Sequence, residues 1–295
     1  VTPAEAIDAA NAVFGVHPGF RALHAKGVRV AGRFVATPAA AALSSAAHLS
    51  GAEVPVVVRF SGGAGNPEHP DFLPEPKGMA VKFTLPDGAT TDIVAVTTSV
   101  FPVATPEGFI ALLRAQAKPH RLAALLARNP RVAVALAKAA PSLRPIASFA
   151  AARYHALHAF RLTDAAGGSR FVRYRLLPGD LEQHLSPMAA RRLGPDYLIP
   201  RLVARLAEGP VTFTLEAQIA GEGATVDDPS RTWPADWERV ALGTLTLTGL
   251  DESRERDGDV LVFDPTRVVP GIELSDDPVL HFRSPAYRES VARRT

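Results

Sequence analysis

Phe20-Arg21-Ala22-Leu23-His24-Ala25-Lys26-Gly27-Val28-Arg29-Val30 sets one histidine between two basic residues, just ahead of an alternating run in which Val28, Val30 and Phe34 mark one face of a strand. A histidine at a strand mouth serves as a general base, a metal ligand or a satisfied core residue, and this stretch alone leaves all three open. Downstream, Gly/Pro-rich turns separate expected strands at 28–36, 54–61, 77–85 and 91–97. The second of these, Val54-Pro55-Val56-Val57-Val58-Arg59-Phe60-Ser61, is nearly all apolar and therefore central. Its polar exceptions, Arg59 and Ser61, are two apart and share a face. A buried arginine is costly unless it meets an anion, so that face is a second sign of a site.

Upstream, Thr2-Pro3-Ala4-Glu5 is a capping box that predicts a helix to about Val13. The segment from Gly62 to Pro76 is long for a hairpin loop and is expected to line an entrance. Thr105-Pro106-Glu107 opens a helical region with an apolar stripe at Phe109, Ile110, Leu112 and Leu113. Helical stretches continue to about 156, punctuated by Pro119, Pro130, Pro141 and Pro145. A hairpin follows at 158–163 and 170–177, then a helical stretch over 180–207 and a period-two strand at 211–219. Segments 240–248 and 259–264 bring the count to about eight strands. The fold class is therefore α+β: one domain over 1–295, an eight-stranded antiparallel β-barrel with inserted and flanking helices.

Composition narrows the partners. Charged residues make up 21% and the formal charge is only +2, with no long basic run, which argues against nucleic acid. The absence of cysteine excludes thiolate catalysis, iron–sulfur clusters and Cys-anchored haem. No window of about 18 apolar residues exists, so no membrane partner is expected. The chain begins at Val1 with no initiator Met and no visible signal peptide, and is read as cytoplasmic or periplasmic.

With these blocks in view, the chain resembles the haem catalase family. The resemblance rests on Arg21-x-x-His24-Ala-Lys-Gly, Val58-Arg59-Phe60-Ser61, Pro76-Lys77-Gly78-Met79, Trp233-Pro234, Phe263-Asp264-Pro265, Pro270-Gly271-Ile272-Glu273 and Arg283-x-x-x-Tyr287, in that order. It runs from about residue 15 to 294, without the family's long N-terminal arm and C-terminal helical domain, and so is similar to the small catalase-related peroxidases. The resemblance implies haem b, with iron held by Tyr287 and the phenol made acidic by Arg283 four residues earlier. It implies His24 as the acid–base group on the peroxide side, with Ser61 bonded to it. It also implies Arg21, Arg59 and Arg294 on the haem propionates and Phe109 stacked on the macrocycle.

Two departures from the family stand out. Where catalases carry an Asn-Asn pair, this chain has Val96-Thr97, so Thr97 is expected beside bound peroxide as a weaker donor. Gly63 replaces a valine that narrows the channel, and is expected to widen it. The implied function is a peroxidase that reduces hydrogen peroxide or organic hydroperoxides through an oxo-iron intermediate, with weak catalase activity. Its partners are the peroxide and a small organic electron donor, and the chain is expected as a monomer or homodimer. Two alternatives stay open: a lipid-hydroperoxide-converting enzyme of the allene oxide synthase type, and a non-catalytic haem-binding barrel. The His155-x-x-His158 pair is read as chance spacing rather than a metal site.

Overall fold

The computed structural model describes residues 1–251 and 261–294. Among these lie ten strands of one antiparallel sheet: β1 (Gly27–Ala36), β2 (Val54–Ser61), β3 (Gly78–Thr84), β4 (Thr90–Val96), β5 (Tyr154–His155), β6 (Phe160–Thr163), β7 (Ser169–Pro178), β8 (Val211–Ile219), β9 (Arg239–Leu250) and β10 (Ile272–Leu274). Eight of them close into a barrel in the order β1-β2-β3-β4-β5-β7-β8-β9 and back to β1. Strand β6 pairs with the free part of the β7 edge, and β10 pairs with β6, so both lie outside the ring.

Alternation explains which way each strand faces. Phe60 points inward and packs against Phe149 at 5.4 Å, Tyr154 at 5.9 Å and Phe213 at 6.0 Å between ring centroids. Val58, Met79, Val81 and Phe83 are fully buried beside it, which fills the interior with side chains and leaves the outer face for chemistry. Arg29, Arg59 and Ser61 are the residues turned outward, and they too are buried or nearly so, because helices cover that side.

Those helices are α1 (Pro3–Phe14), α2 (Pro38–Ala41), α3 (Pro106–Gln116), α4 (Pro119–Arg128), α5 (Pro130–Ala139), α6 (Pro187–Arg192), α7 (Leu198–Ala207) and α8 (Pro278–Ala292). All but α7 start on proline, whose missing N–H costs nothing in the first turn. The expected capping box is present: Glu5 N–H donates to Thr2 Oγ1 at 3.2 Å, and Thr2 N–H donates to Glu5 Oε2 at 2.7 Å. Helices α1, α3 and α8 pack through Ala6, Ala9, Ala10, Ile110 and Leu113, with Phe14, Ala22, Leu23, Phe109 and Phe282 around them. Ala22 and Leu23 lead into His24, so this helical layer stands over the outer face of β1.

Three details differ from the sequence reading. The stretch 180–207 is two helices, α6 and α7, split by the turn at Gly194, where φ is +94°. Residues 261–264 are not a strand, and 259 and 260 lie outside the described residues. The barrel position expected for 158–163 belongs to the two-residue β5, because the chain after His155 leaves the ring to form β6 on the flank of β7.

Candidate active site

His24 is, among the described residues, the one non-glycine with positive φ, at +57°. That left-handed conformation costs a histidine about 1 kcal/mol or more and persists only where neighbours enforce it. Here they do. His24 N–H donates to Gly63 O at 3.2 Å, Ala25 N–H to Ala64 O at 2.9 Å, and Gly62 N–H to Lys26 O at 3.0 Å, strapping 24–26 onto 62–64. The imidazole is thereby turned onto the outer face of the sheet, where Nδ1 lies 3.0 Å from Ser61 Oγ.

The sheet beneath the imidazole is flat for a reason. Gly27, Ser61, Gly78 and Val96 are cross-strand neighbours on β1 to β4, and one step further along the strands come Arg29, Arg59, Ala80 and Val94. A Cβ at Gly78 would fall 2.7 Å from Ser61 Oγ and 2.9 Å from His24 Nδ1, so only glycine lets the ring settle there. The ring is half-buried by area but closely hemmed by protein. Desolvation first, then the guanidiniums of Arg59, Arg283 and Arg21, hold its pKa down to about 3, against a backbone hydrogen bond at Gly62 that favours the cation. Three guanidiniums facing one neutral ring amount to a cationic wall that suits a planar group carrying carboxylates.

Opposite stands α8. Asp277 is its N-cap: Oδ1 accepts from Val279 N–H at 2.8 Å and Leu280 N–H at 3.2 Å. Its other oxygen, Oδ2, lies 2.6 Å from His158 Nδ1. His158 Nε2 accepts from Arg283 Nε at 2.8 Å, and Arg283 Nη1 donates to the Tyr287 hydroxyl at 2.9 Å. Because Nε2 accepts, the proton of the neutral ring belongs on Nδ1, aimed at Asp277. Burial, then Arg283, holds His158 at a pKa of about 4 even though Asp277 favours its cation. Arg283 and Tyr287 are one helical turn apart on a shared face. Arg283 also acts on His24, so the two halves of the site face each other.

The other expected residues divide. Arg59 is buried and donates from Nη2 to Ala25 O at 3.2 Å. Arg21 Nη2 donates to Leu261 O at 2.7 Å. Arg294 follows the last turn of α8, its N–H bonded to Val291 O at 3.0 Å. Its neighbour Arg293 is committed elsewhere, to Glu289 and Asp8 at 2.6 Å each. Phe109 on α3 is half-buried in the layer beside Leu23 and Phe282, 5.5 Å from Phe101.

Two expectations need correcting. Thr97 lies just past β4, and its Oγ1 accepts from Lys77 N–H at 3.1 Å and reaches Ser142 O at 3.5 Å. It is Val96 that shares the face with Gly78 and Ser61, and strand parity turns Thr97 away from the face that His24 occupies. Gly63 opens no channel, because a Cβ there would meet Pro76 O at 2.6 Å. The missing side chain is replaced by that proline. The loop 62–76 is tied down by Glu75, which takes Lys77 Nζ at 2.6 Å and Ala64 N–H at 2.8 Å.

The sequence reading missed Asp277 and His158. His158, paired in the sequence only with His155, instead meets Asp277 and Arg283. The one available signal was Asp277-Pro278, an N-cap placed ahead of the Arg283/Tyr287 helix.

Comparison with known proteins matches the family described as catalase over residues 19–295. A catalase-related peroxidase of Mycolicibacterium paratuberculosis is 50% identical over 299 residues, covering all of this chain and 95% of that protein. One from Synechococcus elongatus is 34% identical over 303 residues, covering 100% and 89%. Catalase A from Saccharomyces cerevisiae superimposes with a TM-score of 0.84 at 21% identity, over 94% of this chain and 62% of that one. A fungal catalase gives 0.83 at 23% identity, over 94% and 60%. The chain thus spans about three-fifths of the length of those solved catalases, and the likeness to them is one of fold.

Proposed function

The chain belongs to the catalase family, and from that premise we propose that it is a haem-dependent peroxidase, reducing hydrogen peroxide or organic hydroperoxides with electrons from a small organic donor. The observation that carries the reading is the pairing of a strained, Ser61-bonded His24 with a Tyr287 hydroxyl fed by Arg283 across the same gap. A barrel that only stored haem has no use for the strained histidine.

The residues fit haem b. The phenol of Tyr287 offers an oxygen donor, oriented by the hydrogen bond from Arg283 Nη1. Arg59, Arg21 and Arg294 would take the two propionates, Phe109 would flank the macrocycle, and the small residues Gly78 and Ala80 leave the sheet face level. Haem, when bound, supplies the iron redox chemistry that cleaves the O–O bond.

His24 handles the proton. With Nδ1 bonded to Ser61 Oγ, the proton is handled at Nε2, which takes it from the peroxide and returns it to the leaving oxygen. A ring held at a pKa of about 3 is a weak base and a willing acid, which suits a proton kept only in transit. The balance is one hydroperoxide plus two donor hydrogens giving one alcohol (or water), one water and two donor radicals.

Catalase activity is weak on this reading. The sheet face beside His24 carries Val96, and Thr97 is turned away, so a second peroxide finds no amide donor there to orient its oxidation to oxygen.

The test is the absorption spectrum of the haem-loaded protein, followed by oxygen evolution against oxidation of a phenolic dye. A high-spin ferric spectrum lost in Tyr287→Phe, with dye oxidation dominant, supports the proposal. A spectrum indifferent to Tyr287, or oxygen evolution far ahead of dye oxidation, sinks it.

A further inference from the structure

The sequence is nearly neutral overall, yet from Gly108 to Thr163 it holds nine Lys/Arg and no Asp/Glu. This stretch includes α3, α4 and α5, of which α4 and α5 carry none of the candidate site residues. Arg114, Lys118, Arg121, Arg128, Arg131 and Lys138 are all exposed, and among the described residues none of the six pairs with a carboxylate. Like charges left unpaired on one surface repel, and an external anionic surface relieves them.

The rest of the α4–α5 hairpin indicates which surface. No residue of α4 is buried, although Leu122, Leu125 and Leu126 form an apolar stripe at helical spacing. Helix α5 is anchored through Ala135 and Ala139 against Val100, and it leaves Val134 55% exposed. Between Pro106 and Pro141 there is no Ser, Thr, Tyr or Trp. Cations interleaved with leucine, valine and alanine are the composition of a helix lying at a lipid interface. Nucleic-acid surfaces add Ser/Thr hydroxyls and Tyr or Trp stacking, which the sequence between Pro106 and Pro141 lacks. No described helix is long and apolar enough to cross a membrane, so the contact is peripheral.

We propose that the α4–α5 hairpin docks this protein on the polar face of an anionic lipid bilayer. Its long cationic stems would lie among the headgroups, with Val134 and the neighbouring alanines at the acyl boundary.

The test is co-sedimentation of the haem-loaded full chain with vesicles of equimolar phosphatidylglycerol and phosphatidylcholine, against vesicles of phosphatidylcholine alone. Binding is expected only to the anionic vesicles, with release as salt rises from about 50 to about 500 mM. The triple variant Arg121→Glu, Arg128→Glu, Arg131→Glu is expected to lower the partition coefficient by at least about tenfold. It should keep its circular dichroism and its peroxide reduction with a soluble donor, since none of the three touches the site. Equal binding to both vesicle types, or a partition indifferent to salt, overturns the proposal without needing the variant. A DNA duplex that strips the protein from vesicles at equal phosphate concentration overturns it in favour of nucleic acid.

Discussion

His24 and His158 are the same side chain in nearly the same predicament. Both rings are closely surrounded by protein, both are kept neutral, at pKa values of about 3 and about 4, and both feel Arg283. They differ in what Nδ1 meets: a serine hydroxyl at 3.0 Å for His24, a carboxylate at 2.6 Å for His158. A hydroxyl orients the ring but adds no charge, so His24 is left with no anionic partner. A carboxylate takes the Nδ1 proton of the neutral ring and turns Nε2 to Arg283, so His158 braces Arg283 against Tyr287. The lesson is that partner charge, more than burial, divides the imidazole proposed to carry the proton from the bracing one.

Breaking the working side has the largest effect. His24→Ala is expected to lower kcat/KM for peroxide by about 10²–10⁴-fold while haem content stays unchanged, as read by stopped-flow kinetics and the Soret absorbance. A loss under about tenfold would mean that His24 is not the proton carrier. The bracing side comes next. Asparagine is as good an N-cap as aspartate, so Asp277→Asn should leave the melting temperature of the haem-free chain nearly unchanged while removing the charge behind His158. We expect a loss of about 10–100-fold in haem affinity or turnover, with a shifted ferric spectrum. A variant that melts early yet keeps its spectrum would make Asp277 a cap and nothing more.

The two sides were not equally legible. On the His24 side the residues are local: His24 announces itself at the head of β1, and Arg59 and Ser61 share a face because they are two apart on one strand. On the other side Arg283 and Tyr287 sit one turn apart on one helix, but Asp277 and His158 are 119 residues apart and meet only because β6 leaves the ring beside α8. No periodicity encodes such a contact. Long strands such as β1, β2 and β8 were readable to within a residue or two. The two-residue β5 was not, since two residues carry no period, and its pairing with β4 and β7 is what closes the barrel. Thr97 shows the limit at the finest scale. Alternation was known there, but its phase at the end of β4 was not, and one residue of phase decides which side chain faces His24.

A gentler change sharpens the comparison. Ser61→Ala removes the hydroxyl and leaves the His24 backbone straps in place. The ring then loses tautomer control without losing position, and a drop of roughly threefold to tenfold in kcat/KM is expected, matching about 1 kcal/mol for one neutral hydrogen bond. A loss equal to that of His24→Ala would mean that the serine holds the ring in place rather than setting its proton.

The smallest expected effect on activity is none at all. A histidine with an ordinary pKa near 6.5 would make kcat/KM inflect in the neutral range. His24 protonates only as pH falls through about 3, so the profile should be flat between about pH 5 and 8. The same depressed values act oppositely on stability. Below about pH 6.5 the unfolded chain binds protons at His24, His48, His155 and His158 that the folded chain refuses until about pH 3 to 4. Stability of the haem-free protein should therefore fall as pH drops through that window, by about 1.4 kcal/mol per pH unit for each such group. Urea midpoints at pH 7 and pH 5 measure this directly. A flat rate profile with a falling midpoint is the combination that neutral, enclosed imidazoles require. An inflection near pH 6.5 with an unchanged midpoint would mean that His24 is exposed to water and that the guanidinium wall does not act on it.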